Sequence, residues 1–355
     1  YERGSTIVTS SLPFEDWTSV LGSERLTGAL LDRLTHHVSI LAMNGDSYRL
    51  RQSAGRRRAT ASYLLDADEP AIVETGPATS FEPVVAGLER LGVGRTDLAH
   101  VVVTHIHLDH AGGVWRIAER FPNATVWVHE RGARHLADPT RLLASVTSIY
   151  GAETMTSLFG PVEPVAAQRI RALGDGDLIE LGRRHLETVS TPGHAKHHVA
   201  LVDSATGAVF TGDALGIHPP DARVLRPATP PPDYDLELAI ASIERIRERA
   251  RGAMLLFSHF GPVEEVDRIC DLAVERFRAW TDAVGEALER TEDLDEIVRV
   301  LREVARADAE TGAEATLDLQ AMETLSSIRM NAMGIVGYWS KVREQRRSAE
   351  TGQAS

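Results

Sequence analysis

Val101-Val102-Val103-Thr104-His105-Ile106-His107-Leu108-Asp109-His110-Ala111-Gly112-Gly113 reads as a buried strand that runs into a polar loop, with a helix beginning just after it. Within it, His105, His107, Asp109 and His110 place four metal-binding side chains in six positions. Three imidazoles and a carboxylate held so close repel one another and lose hydration, and a cation is what best offsets both costs. A metal loop is therefore the expectation for residues 104–110.

Working outward, three further polar landmarks occur where an apolar strand meets a loop. Thr191-Pro192-Gly193-His194 follows an expected strand at 185–190, Thr211-Gly212-Asp213 follows one at 208–211, and Ser258-His259-Phe260-Gly261 follows an apolar run at 254–257. Strand ends are where an α/β scaffold gathers side chains from distant parts of the chain onto one edge. His105, His107 and His194 make one candidate three-nitrogen set; Asp109, His110 and His259 make a second, with Asp213 able to bridge them. Three protein ligands per ion leave a position for water, as a catalytic site requires.

The order His-x-His-x-Asp-His, then His, Asp and His, resembles the metallo-β-lactamase superfamily over about residues 60–262. That resemblance implies an α/β fold, an αββα sandwich of two mixed β-sheets flanked by helices, with metals at one edge. It implies metal roles for His105, His107, Asp109, His110, His194, Asp213 and His259, and a second role for Asp109 in orienting the nucleophile or passing its proton. His198 stands where the family's Pro-Gly-His-x-x-x-His pattern has its second histidine, and is expected to support the metals or the substrate. Two zinc ions are the expected cofactors, with iron or manganese as alternatives. The family's commonest zinc β-lactamases carry Cys where Asp213 stands, so hydrolysis of a thioester, lactone or ester by a hydroxide held between two metals is expected instead. An iron-dependent sulfur dioxygenase-like enzyme is the alternative.

The first 58 residues read differently. Ser5-Thr6-Ile7-Val8-Thr9-Ser10, Pro13-Phe14-Glu15-Asp16-Trp17 and Gly22-Ser23-Glu24-Arg25-Leu26-Thr27-Gly28-Ala29-Leu30-Leu31-Asp32-Arg33-Leu34 resemble the carboxyl-terminal end of IstB-like transposition helper ATPases. The chain's two lysines, Lys196 and Lys341, lie outside any Gly-rich phosphate loop, so ATP hydrolysis is not expected. Residues 1–58 are expected to be an inert remnant; a non-catalytic role as a transposition partner is the rival reading. Because the remnant sits where another strand usually stands, the sandwich is expected to lack an edge strand.

The expected organisation is the remnant at 1–58, a catalytic domain at 59–262, a helical extension at 263–345 and a disordered tail at 346–355. Residues 219–232, which include Pro230-Pro231-Pro232, are expected to loop across the surface, with His218 at their start as a candidate substrate contact. Charge is uneven. The net value is −13, yet residues 1–60 carry eight Lys+Arg against six Asp+Glu, leaving thirty against forty-five in the rest. An acidic catalytic part argues against a nucleic-acid partner and for a small-molecule substrate. The lone Cys270 excludes a disulfide framework, no apolar run reaches membrane-span length, and no signal-peptide apolar region is present, so a cytoplasmic location is expected. The amphipathic carboxyl-terminal helices are expected to wall the pocket or form a homodimer surface.

Overall fold

The computed structural model describes residues 39–43, 60–219, 224–250, 253–311, 322–323 and 326–352. Two six-stranded sheets face each other. The first runs in chain order: β1 (Ser39–Met43), β2 (Thr60–Leu65), β3 (Ala71–Val73), β4 (His100–Val102), β5 (Thr125–His129) and β6 (Ile170–Leu173). Its first three strands are antiparallel and β3 to β6 are parallel. The second contains β7 (Leu178–Glu180), β8 (His185–Ser190), β9 (Val199–Asp203), β10 (Val209–Gly212), β11 (Leu255–Phe257) and β12 (Pro262–Val263), antiparallel except for β10 with β11.

Alternation along the strands builds the layers. Tyr63 and Leu65 of β2, Val199 and Leu201 of β9, Phe210 of β10 and Leu256 of β11 meet between the sheets. Their neighbours point outward: Leu64 joins a core with the helices α1 (Phe81–Arg90) and α3 (Val114–Arg120), which follows the short α2 (Leu108–Ala111). On the far side, Val209, Leu255 and Phe257 pack under α7 (Leu236–Arg249), α8 (Val266–Ala287), α9 (Leu294–Thr311) and α10 (Ile328–Gly352). Between β5 and β6 lie α4 (Glu130–Ala137), α5 (Thr140–Tyr150) and α6 (Ala152–Phe159). The expected αββα sandwich is what forms.

Three expectations change. The missing edge strand is present: β1 pairs with β2 in a five-residue antiparallel register from Ser39↔Leu64 to Met43↔Thr60. It comes from within the stretch expected to be an inert remnant, whose residues 1–38 and 44–58 lie outside the described ones. Residues 224–229 of the Pro-rich segment are buried rather than crossing the surface, because Arg226 pairs with Ile217 and Thr229 bonds to Asn331 at the start of α10. Disorder from 346 onward gives way to helix as far as Gly352.

Candidate metal centre

All seven histidines and aspartates singled out above converge at one edge of the sandwich. They form two groups, His105, His107 and His194, and Asp109, His110, Asp213 and His259, with the ligand atoms of each group within 4.8 Å of one another. In the first, His107 Nδ1 lies 3.0 Å from His105 Nε2 and 2.9 Å from His194 Nε2. In the second, His110 Nε2 is 3.6 Å from Asp109 Oδ2, and His259 Nε2 is 3.6 Å from the same oxygen. Asp213 touches both groups, its Oδ2 lying 3.7 Å from His194 Nε2 and 3.5 Å from His110 Nε2, and its Oδ1 3.5 Å from His259 Nε2.

These separations of 3.5–3.7 Å exceed hydrogen bonds but match two donors each held about 2.0–2.2 Å from one tetrahedral ion. His110 Nε2 and Asp213 Oδ1 are buried without a hydrogen-bond partner, which is costly unless a cation sits between them. The donor set of imidazoles and carboxylates, with no thiolate, suits zinc, iron or manganese. The residues present therefore fit a pair of divalent cations.

Hydrogen bonds behind the ring fix which nitrogen faces inward. Ala228 O accepts from His194 Nδ1 at 2.9 Å, so Nε2 keeps its lone pair. Thr104 Oγ1 commits its proton to Glu74 Oε1 at 2.5 Å, and therefore accepts from His105 Nδ1 at 3.0 Å. Glu74 was not foreseen from sequence. Its buried carboxylate also accepts from Thr104 N and Ser258 Oγ, both at 3.2 Å, while its other oxygen lies 3.5 Å from His110 Nδ1. One carboxylate thus braces the segments that follow β4 and β11, and its backbone adopts φ 67°, a conformation that a non-glycine residue enters at a cost. The signal available was its place: Glu74-Thr75-Gly76 ends an apolar strand, as the other site residues do.

Electrostatics follow burial and charge. Burial first, then the neighbouring imidazoles, hold His105 and His107 well below the ordinary histidine range. His110 goes the other way: burial opposes its charge, but Asp213, Asp109 and Glu74 outweigh it and raise its pKa well above the usual value. For Asp213 burial is again opposed and outweighed, here by His110 and His259, so its carboxyl lies well below the usual range.

His198 stands behind the centre, outside the cleft. Its Nε2 accepts from the Asp213 backbone N–H at 3.0 Å and its Nδ1 donates to Thr191 Oγ1 at 2.7 Å, so it positions Asp213. A Cβ on Gly212 would come within 2.4 Å of that Nε2, and the residue has φ 52°; both reserve the position for glycine. His218, a candidate substrate contact, instead bonds Val224 O at 2.8 Å and rests near Phe257.

Above the ring opens a cleft of about 820 Å³, floored by His107, Asp109, His194 and Asp213. Its walls come from α4, α5 and α6, from Pro230, Pro231 and Pro232, and from Ser327 and Met330 near the start of α10, so the last helix does supply a wall. Among the described residues no helix is long and apolar enough to cross a membrane.

Residues 55–259 match the metallo-beta-lactamase superfamily, and residues 1–56 match the IstB-like ATP binding protein family. YobT of Bacillus subtilis (strain 168) is 27% identical over 155 residues, 43% of this chain and 60% of that protein. A hydroxyacylglutathione hydrolase of Rhodopseudomonas palustris (strain BisA53) is 28% identical over 153 residues, 43% of this chain and 47% of its own, so the matches span only about half of these relatives. The fold is shared with a metallo-beta-lactamase family protein from Thermus thermophilus, at 22% identity and TM-score 0.57 over 82% of this chain and 94% of that one. With its sandwich, its two His/Asp groups and a match over more than half its length, the chain belongs to the metallo-beta-lactamase superfamily and carries an IstB-like fragment at its amino terminus.

Proposed function

We propose that this chain is a metal-dependent hydrolase of a carboxylic thioester, lactone or ester. The observation that carries the reading is the pair of ligand groups joined through Asp213 at the floor of an open cleft. His105, His107 and His194 would hold one divalent cation and Asp109, His110 and His259 the other, with Asp213 reaching both and zinc as the first choice. Such a pair, when bound, supplies a water acidified towards neutral pH and polarises the carbonyl under attack.

The protein's own groups do the rest. Asp109 has 25% of its side chain exposed against 7% for Asp213, so it is the carboxylate that opens to the cleft. There it can orient the attacking water and carry its proton to the leaving group. His198 and Glu74 keep the donors aimed without touching substrate. The hydroxyacylglutathione hydrolase relative favours an acyl compound over a phosphodiester.

Metal analysis of the purified chain should give about two zinc equivalents. His107→Ala and Asp213→Ala should lose metal and at least a hundredfold in hydrolysis while keeping the circular dichroism of the parent. A folded protein that takes up neither zinc, iron nor manganese would overturn this reading. A screen of thioester, lactone, ester and phosphodiester substrates then assigns the bond.

A further inference from the structure

Arg131, Arg134 and Arg141 line the same cleft as the candidate ligands. Arg131 and Arg134 stand three residues apart on α4, and Arg141 is the second residue of α5. No carboxylate among the described residues lies within ion-pair distance of any of the three. Lys196, the remaining cation of the cleft, is paired with Asp233 at 3.2 Å. In a chain of net charge −13, the three guanidinium groups gather positive charge along one side of the cleft. Glu130 is the single acid of the lining that is neither paired nor part of the ligand groups.

The helix that carries Arg131 and Arg134 packs against the site, while all three arginines are exposed. A Cβ on Gly132 would come within 2.7 Å of Ile106 and 2.9 Å of Val128, so α4 packs directly on the loop that carries His107. Arg134 Nε donates to His135 Nε2 at 3.2 Å, and Asp138 Oδ1 accepts from Thr140 N, the first residue of α5, at 3.1 Å.

The wall between rim and floor is apolar. Neither α5 nor α6 buries a residue, yet Leu142, Val146, Ile149 and Phe159 are half-buried and face the cleft. Arg141, Leu142, Ser145, Val146, Ile149 and Tyr150 form one face of α5. From Arg141 to Tyr150 that face runs about 13 Å at 1.5 Å per residue.

We propose that the substrate carries an anionic group, bound by Arg131, Arg134 and Arg141, held apart from its scissile carbonyl by an apolar segment that lies along α5. Guanidinium forks suit carboxylate and phosphate equally. The reaction assumed here rests on the hydrolase reading, but the binding does not.

Two arms test the two claims separately on the full zinc-loaded chain. In the first, calorimetry compares octanoate and octyl phosphate with neutral 1-octanol. At least one anion should bind tenfold or more tighter than the alcohol, weaken as KCl is raised, and lose that advantage in R131Q/R134Q/R141Q. The tighter of the two names the anion. Equal binding of the alcohol, or anion binding that survives the triple variant through the metals alone, overturns the proposal. In the second arm, the p-nitrophenyl monoester of suberic acid is compared with p-nitrophenyl octanoate. The charged ester should have a tenfold higher kcat/KM, expressed mainly in KM, and the triple variant should erase that preference while leaving the octanoate ester unchanged. If both esters are cleaved without preference the anionic rim is refuted; if neither is cleaved while anions still bind through the arginines, the hydrolase reading falls and the rim stands.

Discussion

Glu74 shows what one side chain can do from outside the ligand ring. Its carboxylate takes three hydrogen bonds on one oxygen and faces His110 with the other. Glu74→Gln keeps the size but replaces an acceptor with an amide, so the orientation of His105 and His110 should loosen. Zinc affinity, read by competition with a chelator, should fall about 10- to 100-fold with the fold retained. The gathering of the candidate ligands was legible because each follows an apolar strand and because four of them crowd into six positions. Glu74 occupies the same kind of place, but a lone acid before a glycine is commonplace, and neither its positive φ nor its partners can be read along the chain. Tyr150 was equally hidden. It lines the cleft, and its phenol is pushed up to about 12 by burial first and the Asp109 charge second, which keeps it a hydrogen-bond donor at neutral pH. Tyr150→Phe should leave zinc content unchanged and lower hydrolysis about a hundredfold, as removal of one donor at a developing oxyanion does.

Among elements, helices and strands were visible in their periodicity, whereas the ties between them were not. The turn before β7 is fastened to α7 by Asp175, which accepts from Ser190 N at 2.7 Å and from Arg245 Nη2 at 2.8 and 2.9 Å. Burial works to raise the Asp175 pKa, but these donors win and hold it below the usual range. A depressed carboxyl stabilises the fold above its unfolded pKa of about 3.9, and that contribution disappears as pH falls through the lower folded value. The stability gap between parent and Asp175→Asn should therefore be present at pH 7 and shrink below about pH 4 in urea denaturation. It should be small, about 1 kcal/mol or less, since the pair is largely solvated. The burial of the Pro-rich segment is hidden from the sequence for a related reason. Proline excludes regular structure, but an irregular segment can still be buried when its polar groups find partners, as Thr229 does in Asn331 and Arg226 in Ser326 O.

For the molecule as a whole, the layers follow from alternation, since central strands such as β2, β10 and β11 show one apolar side to the other sheet and one to a helix. The origin of the outermost strand could not be read in that way. β1 arises in the fragment that matches a different family, and a five-residue strand gives little warning of where it will pair. Deleting residues 1–58 should expose the free edge of β2, lower the melting temperature by several degrees and raise the dimer or aggregate fraction in size-exclusion chromatography. Unchanged melting and a monodisperse profile would show that β1 adds nothing. The candidate metal site, carried by the ends of other strands, should keep the parent's zinc affinity in the soluble fraction.

β1 joins the sheet through the register of its backbone with β2, and backbone is common to every sequence. An open place at a sheet edge selects for extension and length rather than ancestry. A chain rejoined upstream of residue 60 can thus recruit whatever extended segment the new junction delivers, and here the sandwich completes its edge with a segment that matches another family.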